Sequence, residues 1–171
     1  MDNFKRNNEV YWIWGLFSGK ENDFLNNIKE EVQDTLKSPN FQCHITLSGP
    51  FEKVDKKFLN KFKELKVNNF SIPLKVNGYN YKKEEFESFF ISIKNTKELT
   101  NLREKIYELK KFKFQRKYSP HISLAYGNHE TSKKHFLISK LPKLPIFLRV
   151  SRLSLVEVNE SKNLWNIIEI F

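Results

Sequence analysis

Two short segments of the chain repeat one pattern of residue types that could carry out acid–base chemistry. They read His44-Ile45-Thr46-Leu47 and His121-Ile122-Ser123-Leu124. Successive side chains of a β-strand point to opposite faces, so each histidine shares a face with the hydroxyl residue two positions later. The apolar residues share the other face and are available for packing. Each segment therefore presents an imidazole and a hydroxyl on one face of a predicted strand.

Two neighbouring imidazoles can act as a general base and a general acid, because an unperturbed histidine titrates near pH ~6.5. They suit an in-line displacement at the phosphorus of a cyclic phosphate, where one takes a proton from water and the other protonates the departing ribose oxygen. Hydroxyl donors would stabilise the charge that develops on the non-bridging oxygens. We therefore predict His44 and His121 as catalytic residues and Thr46 and Ser123 as phosphate-binding residues, with no metal and no other cofactor.

The composition limits the classes of partner. The chain has 171 residues, which is enough for one domain with a sizeable core. A formal net charge of +10 favours an anionic partner such as a nucleotide, RNA or an acidic membrane surface. The excess is carried far more by lysine than by arginine, which is the residue suited to bidentate phosphate recognition. The charge alone is therefore weak evidence for RNA binding.

Cysteine and the remaining histidines offer little further chemistry. Cys43 is the single cysteine, which excludes an internal disulfide and the usual zinc frameworks. It precedes His44 and is therefore expected on the packing face as a buried thiol. His129 and His135 have no cysteine partner and no spacing typical of metal ligands, so we expect them at exposed helix ends.

No segment of the sequence indicates export or membrane insertion. Residues 1–8 lack the apolar core of a signal peptide, and the longest apolar run is too short to span a bilayer. These features, together with the single cysteine, predict a cytoplasmic protein without membrane association. We also expect a monomer without a stable protein partner.

The hydrophobic pattern predicts alternating strands and helices. The predicted strands cover residues 10–17, 41–47, 70–81, 86–95, 118–124, 146–158 and 164–171, and the predicted helices cover 24–36, 55–65, 96–109 and 132–139. Ser48-Gly49-Pro50 is predicted as a turn, residues 82–85 as the turn of a hairpin, and Asp55 and Thr96 as helix N-caps.

The two halves of the chain match when one is shifted by the 77 residues that separate His44 from His121. A strand, a helix and a motif strand then align in both halves, which is the pattern of a duplicated unit. We predict a single bilobal domain over residues 1–171 with an α+β fold. Its two pseudo-symmetric lobes would each be an antiparallel sheet with helices on the outer face, with the active-site cleft between them.

The paired motifs resemble the two signature motifs of the two-histidine phosphoesterase superfamily, whose members act on 2',3'-cyclic phosphates or 2',5'-linked RNA ends without metal. The chain is most similar to the cyclic nucleotide phosphodiesterases of the plant type. The similarity includes the aromatic strand at 10–16, Pro120 before the second motif histidine and Tyr126 after it. The resemblance implies that His44 and His121 are the acid–base pair and that Tyr126 contacts the substrate.

Aromatic residues near the motifs could bind a nucleobase. Trp14, or less readily Trp12, and Phe86 could stack on a base, although aromatic residues in apolar strands more often pack in the core. By strict alternation Tyr126 lies on the face opposite Ser123. It reaches the cleft if the strand ends or bends near Gly127, and otherwise it packs in the core. The basic segment 110–117 either lines the mouth of the cleft or is a solvated helix end.

Three functions are compatible with these residues. The first is a metal-independent cyclic phosphodiesterase that hydrolyses a nucleoside 2',3'-cyclic phosphate or ADP-ribose 1'',2''-cyclic phosphate. The second is a 2',3'-cyclic or 2',5'-phosphodiesterase that acts on RNA ends, which would need a basic track and show a steep salt dependence. The third is a non-catalytic module that binds a nucleotide or RNA. The expected partner is therefore a small nucleotide or the 3' end of an RNA.

Overall fold

The computed structural model describes residues 9–51, 54–65, 70–110, 117–159 and 164–171 as an α+β fold in which four helices pack on one face of an antiparallel sheet. The strands are β1 (Glu9–Leu16), β2 (His44–Phe51), β3 (Ile72–Tyr81), β4 (Phe89–Ile93), β5 (His121–Ala125), β6 (Phe147–Val150), β7 (Arg152–Asn159) and β8 (Leu164–Ile170). The helices are α1 (Gly19–Leu36), α2 (Lys56–Glu64), α3 (Lys97–Lys110) and α4 (Thr131–Lys140).

The two motif strands lie next to each other in the middle of the sheet. The strand order is β6-β3-β4-β5-β2-β1-β7-β8, and all neighbours are antiparallel. In the described residues β2 and β5 are paired at one position, between Ile45 and Ile122. Helix α1 packs against β5 and helix α3 against β2, so the helices cross this junction and hold the two halves together.

The two halves of the sheet have matching strand orders, β2-β1-β7-β8 and β5-β4-β3-β6. A shift of 77 residues carries the ranges of β1, α1, β2, α2 and β3 onto ranges that overlap β4, α3, β5, α4 and β7. This arrangement fits a duplicated bilobal domain, and the duplication itself stays a prediction.

One face of each motif strand is fixed by burial in the core. Ile45, Leu47, Ile122 and Leu124 are fully buried in the cluster that also contains the apolar stripes of α1 and α3. The packing of these four residues in the core leaves the histidines and hydroxyls on the other face, called the cleft face below.

The two predicted N-caps are present, since the Asp55 carboxylate accepts a hydrogen bond from the Phe58 amide (2.7 Å) and the Thr96 hydroxyl accepts one from the Leu99 amide (3.3 Å).

The prediction of a turn at Ser48-Gly49-Pro50 is wrong, because these residues continue β2 as far as Phe51. The pairing of β1 with β2 shifts register between Tyr11 and Ile13, which is a bulge. A bulge interrupts the ladder of hydrogen bonds and so tolerates a proline that has no N–H to donate. Ser48, Gly49 and Pro50, which are residue types typical of turns, therefore lie within a strand.

The prediction of one strand over residues 146–158 is also wrong. Ser151 separates β6 from β7, and its amide donates a hydrogen bond to the Leu16 carbonyl (2.9 Å). Strand β6 pairs with β3 in one half of the sheet and β7 pairs with β1 in the other. Because a single residue connects strands in different halves, the sheet must curl.

Gly49 is the position at which β2 approaches the aromatic wall of the cleft. It has φ +127°, and a Cβ there would lie 2.7 Å from Cε3 of Trp12 and 2.9 Å from the carbonyl oxygen of Tyr11. Gly78 has φ +140° with nothing within 4 Å of the same position. Comparing substitutions at Gly49 and Gly78 therefore distinguishes the effect of backbone strain from the effect of steric contact.

We expect Gly49→Ala to destabilise the protein more than Gly78→Ala does. Both substitutions place an L side chain in the left-handed region, at a cost of roughly 1 kcal/mol or more. At Gly49 the contact with Trp12 adds about 1–3 kcal/mol. Urea unfolding of the two variants and the wild type measures the difference in the free energy of unfolding. Equal losses in the two variants would show that Trp12 can move away from a side chain at position 49 without cost.

Candidate active site

The cleft face of β2 and β5 opens into a cavity of about 540 Å³, a volume within the range of small-molecule sites. The structure brings all seven residues predicted as site residues to its wall, namely His44, Thr46, His121, Ser123, Tyr126, Trp14 and Phe86. Their roles in catalysis and binding stay predictions, while their positions follow from the fold.

The two histidines make the same hydrogen bond. Nδ1 of His44 lies 2.7 Å from the carbonyl oxygen of Gln42, and Nδ1 of His121 lies 2.8 Å from the carbonyl oxygen of Ser119. A carbonyl oxygen accepts hydrogen bonds and donates none, so Nδ1 carries the hydrogen in both rings. Nε2 is then the nitrogen through which each ring can take or give a proton. The partner carbonyl is two residues earlier in both cases, so the strand backbone orients both rings.

The two imidazoles differ in their surroundings. His44 is 6% exposed, and its ring stacks on that of Trp14, with centroids 3.5 Å apart and planes 7° apart. Burial is the main cause that lowers the pKa of His44 to about 4; the hydrogen bond with Gln42 opposes this shift, and a charge on nearby His121 contributes to it. His121 is half-buried and meets the ring of Phe90 at 5.3 Å in an edge arrangement. His44 is therefore held neutral at neutral pH in the free protein.

The two hydroxyl residues complete a compact polar group. With Ile45 opposite Ile122 in an antiparallel pair, Thr46 lies beside His121 and Ser123 lies beside His44. Each imidazole therefore has one hydroxyl two residues along its own strand and another across the strand boundary. A tetrahedral phosphate between the strands would meet two imidazoles and two hydroxyl donors.

Tyr126 reaches the cavity because the strand ends before it. Strand β5 ends at Ala125, and Gly127 has φ +104°, so the strict alternation that would turn Tyr126 away from Ser123 no longer applies. The Tyr126 ring stacks on Phe41 with centroids 4.2 Å apart. Burial raises the pKa of Tyr126 to about 12, and a hydrogen bond with Ser123 partly opposes this. The phenol is thus a neutral group beside a predicted phosphate ligand.

The aromatic residues of the wall differ in how much of the ring is available. Trp14 is 4% exposed and one face is covered by His44, which makes it a support for that imidazole. Phe86 is 63% exposed and meets Tyr126 edge-on at 5.9 Å. Trp12 and Trp165 are half-buried on the same wall. Stacking of a base on Trp14 stays a prediction, whereas Phe86, Trp12 and Trp165 each have part of their surface exposed.

Five residues of the wall were not predicted from the sequence, namely Trp165, Val158, Glu87, Tyr118 and Ser119, whereas Lys117 belongs to the basic segment for which the cleft mouth was one of two predicted places. Tyr118 and Ser119 could have been found, since they lie within three residues of His121. Trp165 had no local signal, because it reaches the cavity through the pairing of β8 with β7, where it lies opposite Val158.

Buried Arg103 and half-buried Tyr118 support β2 where it separates from β5. The Tyr118 hydroxyl donates a hydrogen bond to the Thr46 carbonyl (2.6 Å), and Nε of Arg103 donates one to the Leu47 carbonyl (2.8 Å). The Arg103 guanidinium lies over the Tyr118 ring, 3.5 Å from its centroid. These side chains bond backbone carbonyls of β2 just beyond the Ile45–Ile122 pair and so stabilise the opening between the motif strands.

The remaining candidates lie outside the polar group. Cys43 is fully buried, and burial raises its pKa to about 11, so its thiol stays protonated. His129 bonds the Tyr126 carbonyl (2.8 Å), and exposed His135 lies 2.7 Å from the Tyr81 hydroxyl. Of the basic segment 110–117, residues 111–116 lie outside the described residues, and exposed Lys117 lines the cavity.

Two features are absent from the described part of the chain. No cluster of three or more His, Cys, Asp or Glu side chains that could hold a metal ion occurs there. No described helix is both long enough and apolar enough to cross a membrane.

Comparison with known proteins assigns the chain to a family. A family model described as the 2'-5' RNA ligase superfamily matches residues 21–162. The chain belongs to this superfamily, which is one of two-histidine phosphoesterases. A comparison with curated proteins found no relative of similar sequence.

Solved structures share the fold over nearly the whole chain. E. coli LigT in its apo form aligns with TM-score 0.62 at 10% sequence identity, covering 95% of this chain and 96% of that chain. The protein TT0787 of Thermus thermophilus aligns with TM-score 0.56 at 15% identity over 95% and 96% of the two chains. E. coli LigT complexed with 3'-AMP aligns with TM-score 0.58 at 10% identity, with the same coverage.

We expect Tyr118→Phe to destabilise the protein by about 1–2 kcal/mol, because it leaves the Thr46 carbonyl without its donor while keeping the ring against Arg103. The matched control is Tyr79→Phe, whose hydroxyl bonds the Pro142 carbonyl at an exposed position where water can replace it. Chemical denaturation of both variants gives the comparison. A loss no larger than that of the control would mean that the Tyr118 hydroxyl does not support β2.

Acid should weaken the fold through His44. Its pKa is about 4 in the folded chain and about 6.5 in the unfolded chain, so between these values the unfolded state binds more protons. The stabilising contribution is fully present above pH 6.5 and is lost as the pH falls toward 4, by up to about 3 kcal/mol.

Urea unfolding across this range should therefore show a smaller fall in stability for His44→Asn than for the wild type. Only the slopes are compared, since the substitution also removes the contact with Trp14. Parallel slopes, or an NMR titration of the His44 ring near pH ~6.5 in the free protein, would contradict the assignment.

Proposed function

We propose that the protein is a metal-independent cyclic phosphodiesterase that hydrolyses a nucleoside 2',3'-cyclic phosphate or ADP-ribose 1'',2''-cyclic phosphate. The observation that carries the proposal is the matched pair of histidines, each with Nδ1 bonded to the carbonyl two residues earlier and a hydroxyl beside it. Membership of a phosphoesterase superfamily supports phosphodiester chemistry in general. The cyclic substrate and the roles of the residues are the proposed part.

The burial of His44 makes it the general base. Neutral His44 takes a proton from water at Nε2 as the water oxygen attacks phosphorus. The bond from phosphorus to the departing ribose oxygen breaks, and protonated His121 gives that oxygen a proton. The products are a phosphomonoester and a free ribose hydroxyl. The two rings then return to their starting states by exchange of one proton through solvent.

Substrate binding would prepare His44 for this role. An anionic phosphate beside the ring favours the imidazolium, as does the face of Trp14 on which the ring stacks. Both effects raise the pKa of His44 from about 4 toward the range in which it can accept a proton at neutral pH. Thr46 and Ser123 would donate hydrogen bonds to the non-bridging oxygens as charge develops there.

The wall of the cavity suits a nucleoside. Its volume of about 540 Å³ accommodates a small nucleotide, and exposed Phe86 with half-buried Trp12 and Trp165 offers surfaces for a base. A protein of the same fold, E. coli LigT, has been crystallised with 3'-AMP, a nucleoside monophosphate. The second candidate substrate is an RNA end, which the description of the superfamily favours.

The test is hydrolysis of the four nucleoside 2',3'-cyclic phosphates and of ADP-ribose 1'',2''-cyclic phosphate in excess EDTA, followed by phosphorus NMR. We expect the wild type to turn over at least one substrate, and His44→Ala and His121→Ala to lose roughly 10²–10⁴-fold in kcat. His135→Ala, which changes an exposed histidine outside the cavity, should retain activity.

The other outcomes separate the alternatives. Activity that persists in either cleft variant would exclude the two-histidine mechanism, and activity lost in EDTA would exclude metal independence. Tight binding without turnover by the folded wild type on all substrates, including RNA ends, would indicate a binding module instead of an enzyme.

A further inference from the structure

A row of cations lies on the same sheet face as His121, in the half of the sheet that contains β5. Lys75, Lys94 and Arg149 are all exposed there, and Phe147 lies among them with 49% of its surface exposed. We call these four residues the basic strip. No residue of the strip belongs to the cavity wall described above.

The strand register places the strip beside the cavity. Ser92 of β4 pairs with His121, so the two side chains share the cleft face. Lys94 follows Ser92 by two residues and therefore points the same way. The Lys94 amide donates to the Lys75 carbonyl (2.8 Å), and Lys75 pairs with Phe147 of β6.

Burial of the alternate residues confirms which face the strip occupies. Leu74, Ile93, Leu148 and Val150 are buried in the core on the opposite face. Their neighbours Lys75, Lys94, Phe147 and Arg149 must then project from the cleft face. A further exposed cation, Lys117, lines the cavity itself.

The charge of the strip is uncompensated within the sheet. Strands β3, β4, β5 and β6 contain no Asp or Glu. Among the described residues the two recorded ion pairs, Lys63–Glu169 and Lys82–Glu87, lie elsewhere, and Arg149 bonds the Ser71 hydroxyl (3.4 Å). Like charges on neighbouring strands repel one another, and a bound polyanion would remove this repulsion.

The opposite half of the cleft face has a different chemistry. There Trp14, Leu16 and Val156 form a separate apolar cluster, with Trp12, Val158, Trp165 and Ile167 packed against it. One side of the cleft is thus aromatic and the other is basic. A base suits the first side, and additional phosphates suit the second.

The length of the strip exceeds what one cyclic phosphate needs. It crosses from the end of β4 to β6, which spans three strands and roughly 10 Å at the usual strand spacing, and it begins one strand beyond His121 of β5. A single phosphate between His44 and His121 would not reach it. Cations that track a backbone, interleaved with an exposed aromatic ring, form the usual surface for single-stranded nucleic acid.

From this geometry we propose that the basic strip binds the sugar-phosphate backbone of a single-stranded RNA whose 3'-terminal cyclic phosphate lies between the two histidines. The proposal rests on the proposed function, since it uses the same two-histidine site, and it develops the second candidate substrate of that site, an RNA end. RNA is required because a 2',3'-cyclic phosphate needs the 2' oxygen. Phe147 stacks on a base upstream of the end, and the three cations contact phosphates.

The experiment compares two substrates and two matched triple variants. The substrates are a ten-nucleotide RNA that ends in a 2',3'-cyclic phosphate and the nucleoside 2',3'-cyclic phosphate of its last base. The strip variant is Lys75→Ala with Lys94→Ala and Arg149→Ala. The control is Lys56→Ala with Lys57→Ala and Lys61→Ala, which removes the same charge from exposed positions on α2.

In the strip variant, the ratio of kcat/KM for the RNA to kcat/KM for the nucleotide should fall by about tenfold or more. The dependence of log kcat/KM on log salt for the RNA should become less steep by about 2, because each lost phosphate contact removes ~0.7. The control should keep the wild-type ratio and slope. A ratio and slope unchanged in the strip variant, or changed equally in the control, would overturn the proposal.

Phe147 provides a second test that keeps all charges. Phe147→Ala should lower the RNA-to-nucleotide ratio by roughly 5- to 100-fold, as expected for loss of one stacked base. Ile146→Ala, a substitution at the more exposed neighbouring position, is the control and should keep the ratio. Equal ratios in the two variants would exclude base stacking on Phe147.

A failure of the proposed function would give a different result from a failure of the basic strip. If the folded wild type hydrolyses neither substrate, the catalytic proposal fails, and binding of the same fluorescent RNA by anisotropy then tests the strip alone. Weaker binding in the strip variant than in the control would support the strip as an RNA site without catalysis, and equal binding would overturn it.

Discussion

The position of Ile45 opposite Ile122 is the constraint on which the site depends. Both residues are fully buried beneath the helices, and they are the point at which the two motif strands pair. A slip of either strand by one residue would turn its histidine into the core and an isoleucine into the cleft. The burial of two apolar side chains therefore fixes two imidazoles and two hydroxyls on one face.

Because β2 and β5 pair at so few positions, backbone carbonyls of β2 need hydrogen-bond donors other than β5. Beyond the isoleucine pair the motif strands separate to form the cavity, and side-chain donors from Tyr118 and Arg103 bond the carbonyls of Thr46 and Leu47. A cavity between neighbouring strands is stable only when the backbone groups that it frees find such partners. The cleft thus depends on Tyr118, which lines it, and on Arg103, which does not.

The two motif histidines have similar backbone contacts but different surroundings. Both rings are held through Nδ1 by a carbonyl two residues earlier, yet Trp14 covers His44 whereas His121 is half-buried at the edge of Phe90. Burial disfavours a charge on one ring and leaves the other closer to solvent. The same contrast extends outward, since one half of the cleft face is aromatic and the other is basic. The two motifs thus share residue types and backbone contacts, whereas the residues that flank them differ.

Much of this protein can be predicted from its sequence because the deciding contacts are local. The two-residue alternation of the motifs, the apolar stripes of the helices, the hairpin of β3 and β4 and the caps at Asp55 and Thr96 depend on residues a few positions apart. These patterns determined the α+β class and the residues that could do chemistry. They also sufficed to assign Cys43 to the packing face.

Tertiary structure alone decided which strands pair and what those pairings bring to the cleft. Ser48-Gly49-Pro50 has the composition of a turn, but pairing with β1 through a bulge keeps it extended. Residues 146–158 read as one strand, but their two parts find partners in different halves of the sheet, which is what places Arg149 beside Lys75. Trp165 reaches the cavity because β8 pairs with β7. A strand's own sequence specifies which of its faces is apolar, whereas its partner is chosen by the burial available in the whole fold, and that choice is not encoded within any one segment.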